Sequence, residues 1–227
     1  MTVAAVILAA SVESALADAA GVPRVRRIAD AAWAGGAMPV IVVAPDPDGS
    51  VAAALAGAEV TLAAPVAPEQ GPVGQIARGI DVAAAAVSET TAAIIWPARL
   101  CWVGPETVTS LVEAHGADPG SLLRPTYRGE AGWPALLPLE ALPAFRAQPP
   151  SSMPDALLDG VAAAAPLPLR GIDLGDPGTV MDAGTRLADL PPYEGPAEPV
   201  VAHTHEWGSP AAEPSDEVPL EGPARAT

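Results

Sequence analysis

A chain of 227 residues, half of them hydrophobic but only 4% aromatic, has the apolar mass for one α/β domain whose core packs through small side chains. Its formal net charge of -16 excludes a nucleic-acid partner, because so acidic a surface repels a polyphosphate backbone. The lone cysteine, Cys101, excludes an internal disulfide and a cysteine-based zinc site, and is expected to be a buried spectator.

The chain opens on Val3-Ala4-Ala5-Val6-Ile7-Leu8-Ala9-Ala10, an apolar run too short for a bilayer and cut by Ser11-Val12-Glu13-Ser14. It predicts a buried strand over residues 3–8. No basic residue precedes it, the first being Arg24, so it lacks the charged start of a secretory signal, and a cytoplasmic protein without membrane contact is expected. Residues 11–20 follow as a loop. A helix is expected over 23–34 and a strand over 39–43, then a helix over 49–56 and a strand over 59–62. The next pair is a helix over 73–87 and a strand over 91–95, followed by a helix over 105–114 and strands near 121–124 and 167–173. Several of these helices open on Pro or Gly, as a first turn permits. Short Val/Ile/Leu runs alternating with alanine-rich helical stretches predict a mostly parallel sheet covered by helices. From Pro191 onward the periodicity ends and Pro and Glu dominate, so the folded domain is expected over 1–190 and a disordered acidic tail over 191–227.

Four segments carry the candidate chemistry. The first is Val6-Ile7-Leu8-Ala9-Ala10, followed after a loop by Gly21-Val22-Pro23. The second is Gly71-Pro72-Val73-Gly74-Gln75-Ile76-Ala77-Arg78-Gly79, which by itself also reads as a glycine- and proline-initiated helix packed closely on the sheet. The third runs from Ile94-Ile95-Trp96-Pro97-Ala98-Arg99 to Pro105-Glu106-Thr107. The fourth comprises Arg124 to Leu137, including Gly132-Trp133-Pro134, and later Asp182-Ala183-Gly184-Thr185.

In this order the segments resemble the MobA-like NTP transferase family, whose members move a nucleotide from CTP or GTP onto the phosphate of the molybdenum cofactor. The resemblance covers about residues 3–190 and implies a three-layer, Rossmann-like nucleotidyltransferase fold of the nucleotide-diphospho-sugar transferase type. It also implies nucleotide contacts from Ala9, Ala10, Ser11, Gly71, Pro72, Gly74, Gln75, Arg78 and Arg99. The motifs depart from the family where chemistry is done. The family loop L-A-A-G-x-x-x-R-M-G-x-x-K holds a triphosphate with backbone N–H groups and cations. Here residues 11–20 contain no Gly, Arg or Lys, and Glu13 and Asp18 add negative charge. Aligned on P-x-D-x-P-F-x-x-P-E-T, Arg99 stands at the metal-binding aspartate. Each unit-charge pair at about 4 Å is worth roughly 4 kcal/mol at an effective dielectric of about 20, so this exchange turns strong attraction for a dication into repulsion. Trp133 replaces a histidine, Gly184 replaces the second acid of D-x-D-T-P-E-D, and Asp182 is left as the one metal candidate.

The resemblance with these losses implies a pseudoenzyme linked to molybdenum cofactor metabolism, holding a nucleotide or a protein partner such as an active homologue, with no metal cofactor. One alternative is an active enzyme that moves CMP or GMP onto an acceptor such as molybdopterin. It would use Mg²⁺, or Arg99 and the cluster Arg24, Arg26 and Arg27 as charge stabilisers. Another is an interaction protein whose groove is filled by Trp96, Trp102 and Trp133. His115 falls at a helix end, and His203 and His205 fall in the tail, so no Ser/His/Asp arrangement is expected. His203-Thr204-His205-Glu206 could catch a transition metal, but a two-histidine pair in an acidic tail is more often just solvated, and Trp207 is a candidate docking anchor.

Overall fold

In the computed structural model, which describes residues 2–165 and 167–195, the opening apolar run is β1 (Thr2–Leu8), with Val3 to Ile7 fully enclosed. A strand buried on both faces needs no polar alternation, which is why the run is continuous. Residues 11–20 do not form the expected loop. Ser11 caps a short helix α1 (Val12–Leu16) by accepting the Ser14 N–H at 3.0 Å. A two-stranded hairpin follows, β2 (Asp18–Ala19) and β3 (Val22–Pro23), turned by Ala20 and Gly21 at φ 56° and 83°, the left-handed pair such tight hairpins require.

Thereafter helices and strands alternate: α2 (Arg24–Ala34), β4 (Val40–Val43), α3 (Ser50–Ala54), β5 (Thr61–Ala63), α4 (Gly71–Ala86), β6 (Thr90–Pro97) and α5 (Pro105–Ala117). Strand β5 starts two residues later than expected, because Ala58 and Val60 still form a turn closed by a Val60 N–H to Ala58 carbonyl bond. The remaining elements are β7 (Leu122–Tyr127), β8 (Glu130–Ala131), β9 (Ala135–Pro138), α6 (Leu142–Arg146), α7 (Pro154–Ala164) and β10 (Leu169–Asp173). The expected elements over 121–124 and 167–173 correspond to β7 and β10. Elements β8, β9, α6 and α7 had no counterpart in the sequence reading.

The strand order is β10-β7-β9-β6-β1-β4-β5, with β8 hairpinned onto β7. All neighbouring pairs are parallel except those of β9, which runs antiparallel between β6 and β7. Leu8, Val43, Ala63, Pro97, Tyr127 and Asp173 therefore end their strands at one edge. From β1 the chain crosses through α2 to β4 and β5, then returns through α4 to β6 on the other side of β1. Such a reversal opens a crevice beyond the carboxyl ends of the strands, where α/β proteins bind ligands. Helix α4 packs on β1, β4 and β6, whereas α2 packs on β1 and β4 and against α5. The contact of α4 with β1 needs a glycine: a Cβ on Gly79 would lie 2.2 Å from Val6 Cγ1.

Asp176, buried after β10, ties the last segment to the start of α5. Its carboxylate accepts from Thr107 Oγ1 at 2.7 Å, the Gly104 N–H at 3.1 Å and the Gly178 N–H at 2.8 Å. Burial pushes its carboxyl above the usual range, against those three bonds, which favour the charged form. Residues 191–195, which the sequence reading assigned to the tail, lie against this corner. The Glu194 N–H donates to the Gly175 carbonyl at 2.8 Å, and its carboxylate pairs with Arg128 at 2.7 Å. The Tyr193 phenol is pushed up to about 12 by burial, with Glu106 and Asp176 adding to the shift. His203, His205, Trp207 and the rest of the acidic tail lie outside the described residues.

Candidate functional site

At the reversal point the strand ends enclose a cavity of about 520 Å³. Leu8, Ala9 and Ala10 enter from β1, Val43 and Pro45 from β4, and Pro65, Val66 and Pro68 from the segment after β5. Pro72 and Gln75 of α4, Pro97 of β6 and Pro154 of α7 close it. None of these residues is charged, and six of the twelve are prolines, which fix the wall and bring no N–H donor to it. The one side-chain amide is already committed. Gln75 Oε1 accepts from the Val66 N–H and its Nε2 donates to the Val66 carbonyl, both at 3.0 Å, so Gln75 pins the wall segment.

Of the nucleotide-contact residues implied by the resemblance, the cavity gathers Ala9, Ala10, Pro72 and Gln75. The others lie elsewhere. Ser11 is occupied by the α1 cap. Gly71, at φ 56°, is forced by close approach, since a Cβ there would meet the Pro150 carbonyl oxygen at 2.1 Å. A Cβ on Gly74 would meet Gln70 Cβ at 2.4 Å, so Gly74 too serves packing. Arg78 is exposed, one helical turn past Gln75, and away from the cavity. Pro45, Pro65, Pro68 and Pro154 were missed by the sequence reading; the wall comes from separate crossovers, and no spacing in the chain links them.

Arg99 sits beside the cavity in a smaller recess of about 150 Å³, with Arg124, Glu130, Trp133 and Asp155. Its backbone carbonyl accepts from the Ala183 N–H at 2.7 Å. Its exposed guanidinium has neither ion pair nor hydrogen bond to another described residue. Arg124, by contrast, is fully engaged. It pairs with Asp155, donates through Nε to the Gly132 carbonyl at 2.9 Å, and lies 5.3 Å over the Trp133 ring. Trp133 Nε1 donates to the same Asp155 at 3.1 Å.

Asp182 is exposed on a turn, where its Oδ1 accepts the Gly184 N–H at 2.8 Å. Among the described residues no three His, Cys, Asp or Glu side chains converge as a metal site would need. The segment that leaves β10 directly is Asp173-Leu174-Gly175-Asp176-Pro177, nine residues before the Asp182 turn. Laid on it, the D-x-D-T-P-E-D pattern keeps Asp173 and Pro177 and puts Gly175, at φ 62°, in place of the second acid.

The arginines of α2 face a different part of the surface. Arg26 pairs with Asp30 at 2.9 Å, and Arg27 lies 5.1 Å over the Trp102 ring while donating to the Cys101 carbonyl at 3.2 Å. Arg24 is half-buried near Cys101, whose buried thiol is pushed up by desolvation with Arg24 opposing. None of the three lines the main cavity. Trp96 is fully buried, its Nε1 donating to the Leu100 carbonyl at 2.8 Å, and Trp102 donates to the Thr185 carbonyl. Trp133 lies in the side recess, and no tryptophan among the described residues lines the cleft. His115 is buried in α5, its Nε2 facing Thr91 Oγ1 at 3.3 Å. No described helix is long and apolar enough to cross a membrane.

Compared with known proteins, residues 9–162 match the model of a family described as the MobA-like NTP transferase domain. No curated protein matches the sequence significantly. Among solved structures, the fold is similar to that of 2-C-methyl-D-erythritol 4-phosphate cytidylyltransferase from Thermus thermophilus. That pair is 16% identical over 84% of this chain and 96% of the other, with a TM-score of 0.60. It is also similar to a CMP:2-keto-3-deoxy-manno-octonic acid synthetase complexed with CTP, at 16% identity, 77% and 90% coverage and a TM-score of 0.57. A Mycobacterium tuberculosis protein complexed with manganese matches at 16% identity, 77% and 89% coverage and a TM-score of 0.58.

Proposed function

Because the chain belongs to the MobA-like NTP transferase domain family, we propose that it keeps the family's ligand cleft while having lost metal-dependent nucleotidyl transfer. It acts in the cytoplasm as a nucleotide- or partner-binding protein connected with molybdenum cofactor metabolism.

One observation carries this reading: the cleft at the sheet's reversal point has no charged residue among its described lining, and the recess beside it holds a cation, Arg99, that has no ion pair with a described residue. Nucleotidyl transfer concentrates negative charge on phosphate as bonds change, and a divalent cation held by carboxylates normally neutralises it. The residues present do not fit Mg²⁺. Arg99 occupies the position implied for the first carboxylate, either register of the D-x-D motif puts a glycine at the second, and Asp182 belongs to no converging group of three acidic, His or Cys side chains among the described residues. The phosphate loop is likewise replaced by α1 and a hairpin bearing Glu13 and Asp18.

A second reading, an active enzyme moving CMP or GMP to a phosphorylated acceptor, is favoured by one observation: the Arg99 guanidinium is free of described partners and so available to a phosphate. Calorimetric titration with CTP and GTP, with and without Mg²⁺, distinguishes the two. Affinity that ignores Mg²⁺ supports the pseudoenzyme. Affinity that rises at least about tenfold with Mg²⁺, or about 1.4 kcal/mol, supports the enzyme.

A further inference from the structure

The cleft and the Arg99 recess adjoin. Pro97 lines the cleft and Arg99, two residues on, lines the recess; Pro154 lines the cleft and Asp155, the next residue, lines the recess. The two sides differ in kind. The cleft is proline-walled and uncharged, and its volume of about 520 Å³ falls within the roughly 300–1,000 Å³ typical of small-molecule pockets. Four charged groups share the recess. Arg124 and Asp155 neutralise each other, with Trp133 as a further donor to Asp155, which leaves Arg99 and Glu130 without ion pairs among the described residues.

We propose that the two compartments take one ligand, an uncharged ring system in the cleft bearing a single anionic group that pairs with Arg99, and that it binds without metal. This rests on the reading of the cleft as a ligand site. A planar guanidinium recognises carboxylate, sulfonate or monophosphate by paired N–H donors and needs no cation to assist it. One arginine opposed by Glu130 pairs with one anionic group of its ligand, and any further phosphates of a nucleotide are left to solvent. The proline wall is set before binding, so an apolar ring enters with little ordering of the protein.

The test uses the full chain and two fluorescent probes of similar size, anionic 8-anilinonaphthalene-1-sulfonate and neutral N-phenyl-1-naphthylamine, in EDTA. Both are expected to bind once per chain, the sulfonate about tenfold more tightly. Arg99→Gln, a change at an exposed side chain, should remove that advantage and leave the neutral probe unaffected. Glu130→Gln should tighten the sulfonate about threefold. Ala10→Trp, which fills the cleft, should abolish binding of both. Equal affinities in the wild type, equal loss of both probes in Arg99→Gln, failure of the neutral probe to bind, or survival of binding in Ala10→Trp would each overturn the proposal. Turnover of CTP with Mg²⁺ beside the expected probe behaviour would overturn the pseudoenzyme reading and leave this one standing.

Discussion

A guanidinium and a divalent cation repel one another, so on the proposed reading Arg99, just beyond the end of β6, opposes a magnesium ion held there. It is not the sole obstacle. Arg99→Asp is expected to yield no pyrophosphate release from CTP above the buffer rate, because the second acid and the phosphate loop are also gone; release in that variant would show that one side chain holds the activity off. Asp176 illustrates the opposite case, a carboxylate kept for structure. Its replacement by alanine leaves the Thr107 hydroxyl and the Gly104 and Gly178 N–H groups without their acceptor. Urea unfolding should register a loss of about 2–4 kcal/mol.

Helix α4 is positioned by what it lacks. Gly79→Ala drives a methyl group into Val6 and should cost about 1–3 kcal/mol, read as a lower urea midpoint at unchanged slope. Helix α5 carries a pH response. Burial holds the His115 imidazole below its ordinary value, although Glu140 and Asp118 pull it upward. The unfolded chain therefore takes up a proton first as pH falls through about 6.5, and the fold loses stability from there down to the lowered native value. Thermal melts from pH 7.5 to 5 should show this decline in the wild type, and His115→Gln should flatten it. The parallel strands were legible in the sequence because β1, β4 and β6 are buried on both faces and read as unbroken Val, Ile and Ala runs. Strand β9 was not, since four residues close behind a turn give no periodicity, and α6 and α7 were hidden by Pro143, Pro149, Pro150 and Pro154. Residues 11–20 misled because the five residues of α1 are too few to show a helical period, and β2 and β3 have only two residues each to signal a hairpin. Within the site, the positions next to motif glycines and strand ends could be read, namely Ala9, Ala10, Pro72 and Gln75, but not that Gln75 is turned onto the backbone of Val66.

For the whole molecule, the boundary of the domain is set by contacts rather than composition. Pro191 begins the proline-rich sequence, yet Tyr193 and Glu194 are anchored on the loops that follow β7 and β10. A chain cut after Leu190 should melt about 2–4 °C below one cut after Gly195, the shift that one kcal/mol produces at this size. The domain as a whole belongs to the MobA-like NTP transferase domain family and has its cleft at the sheet's reversal point, and the proposed reading is that metal-dependent transfer has been lost from it. Pyrophosphate release from CTP and GTP, with Mg²⁺ and molybdopterin as acceptor, tests that claim most directly. No release above the protein-free rate is the expected result; acceptor-dependent release that requires Mg²⁺ would contradict it.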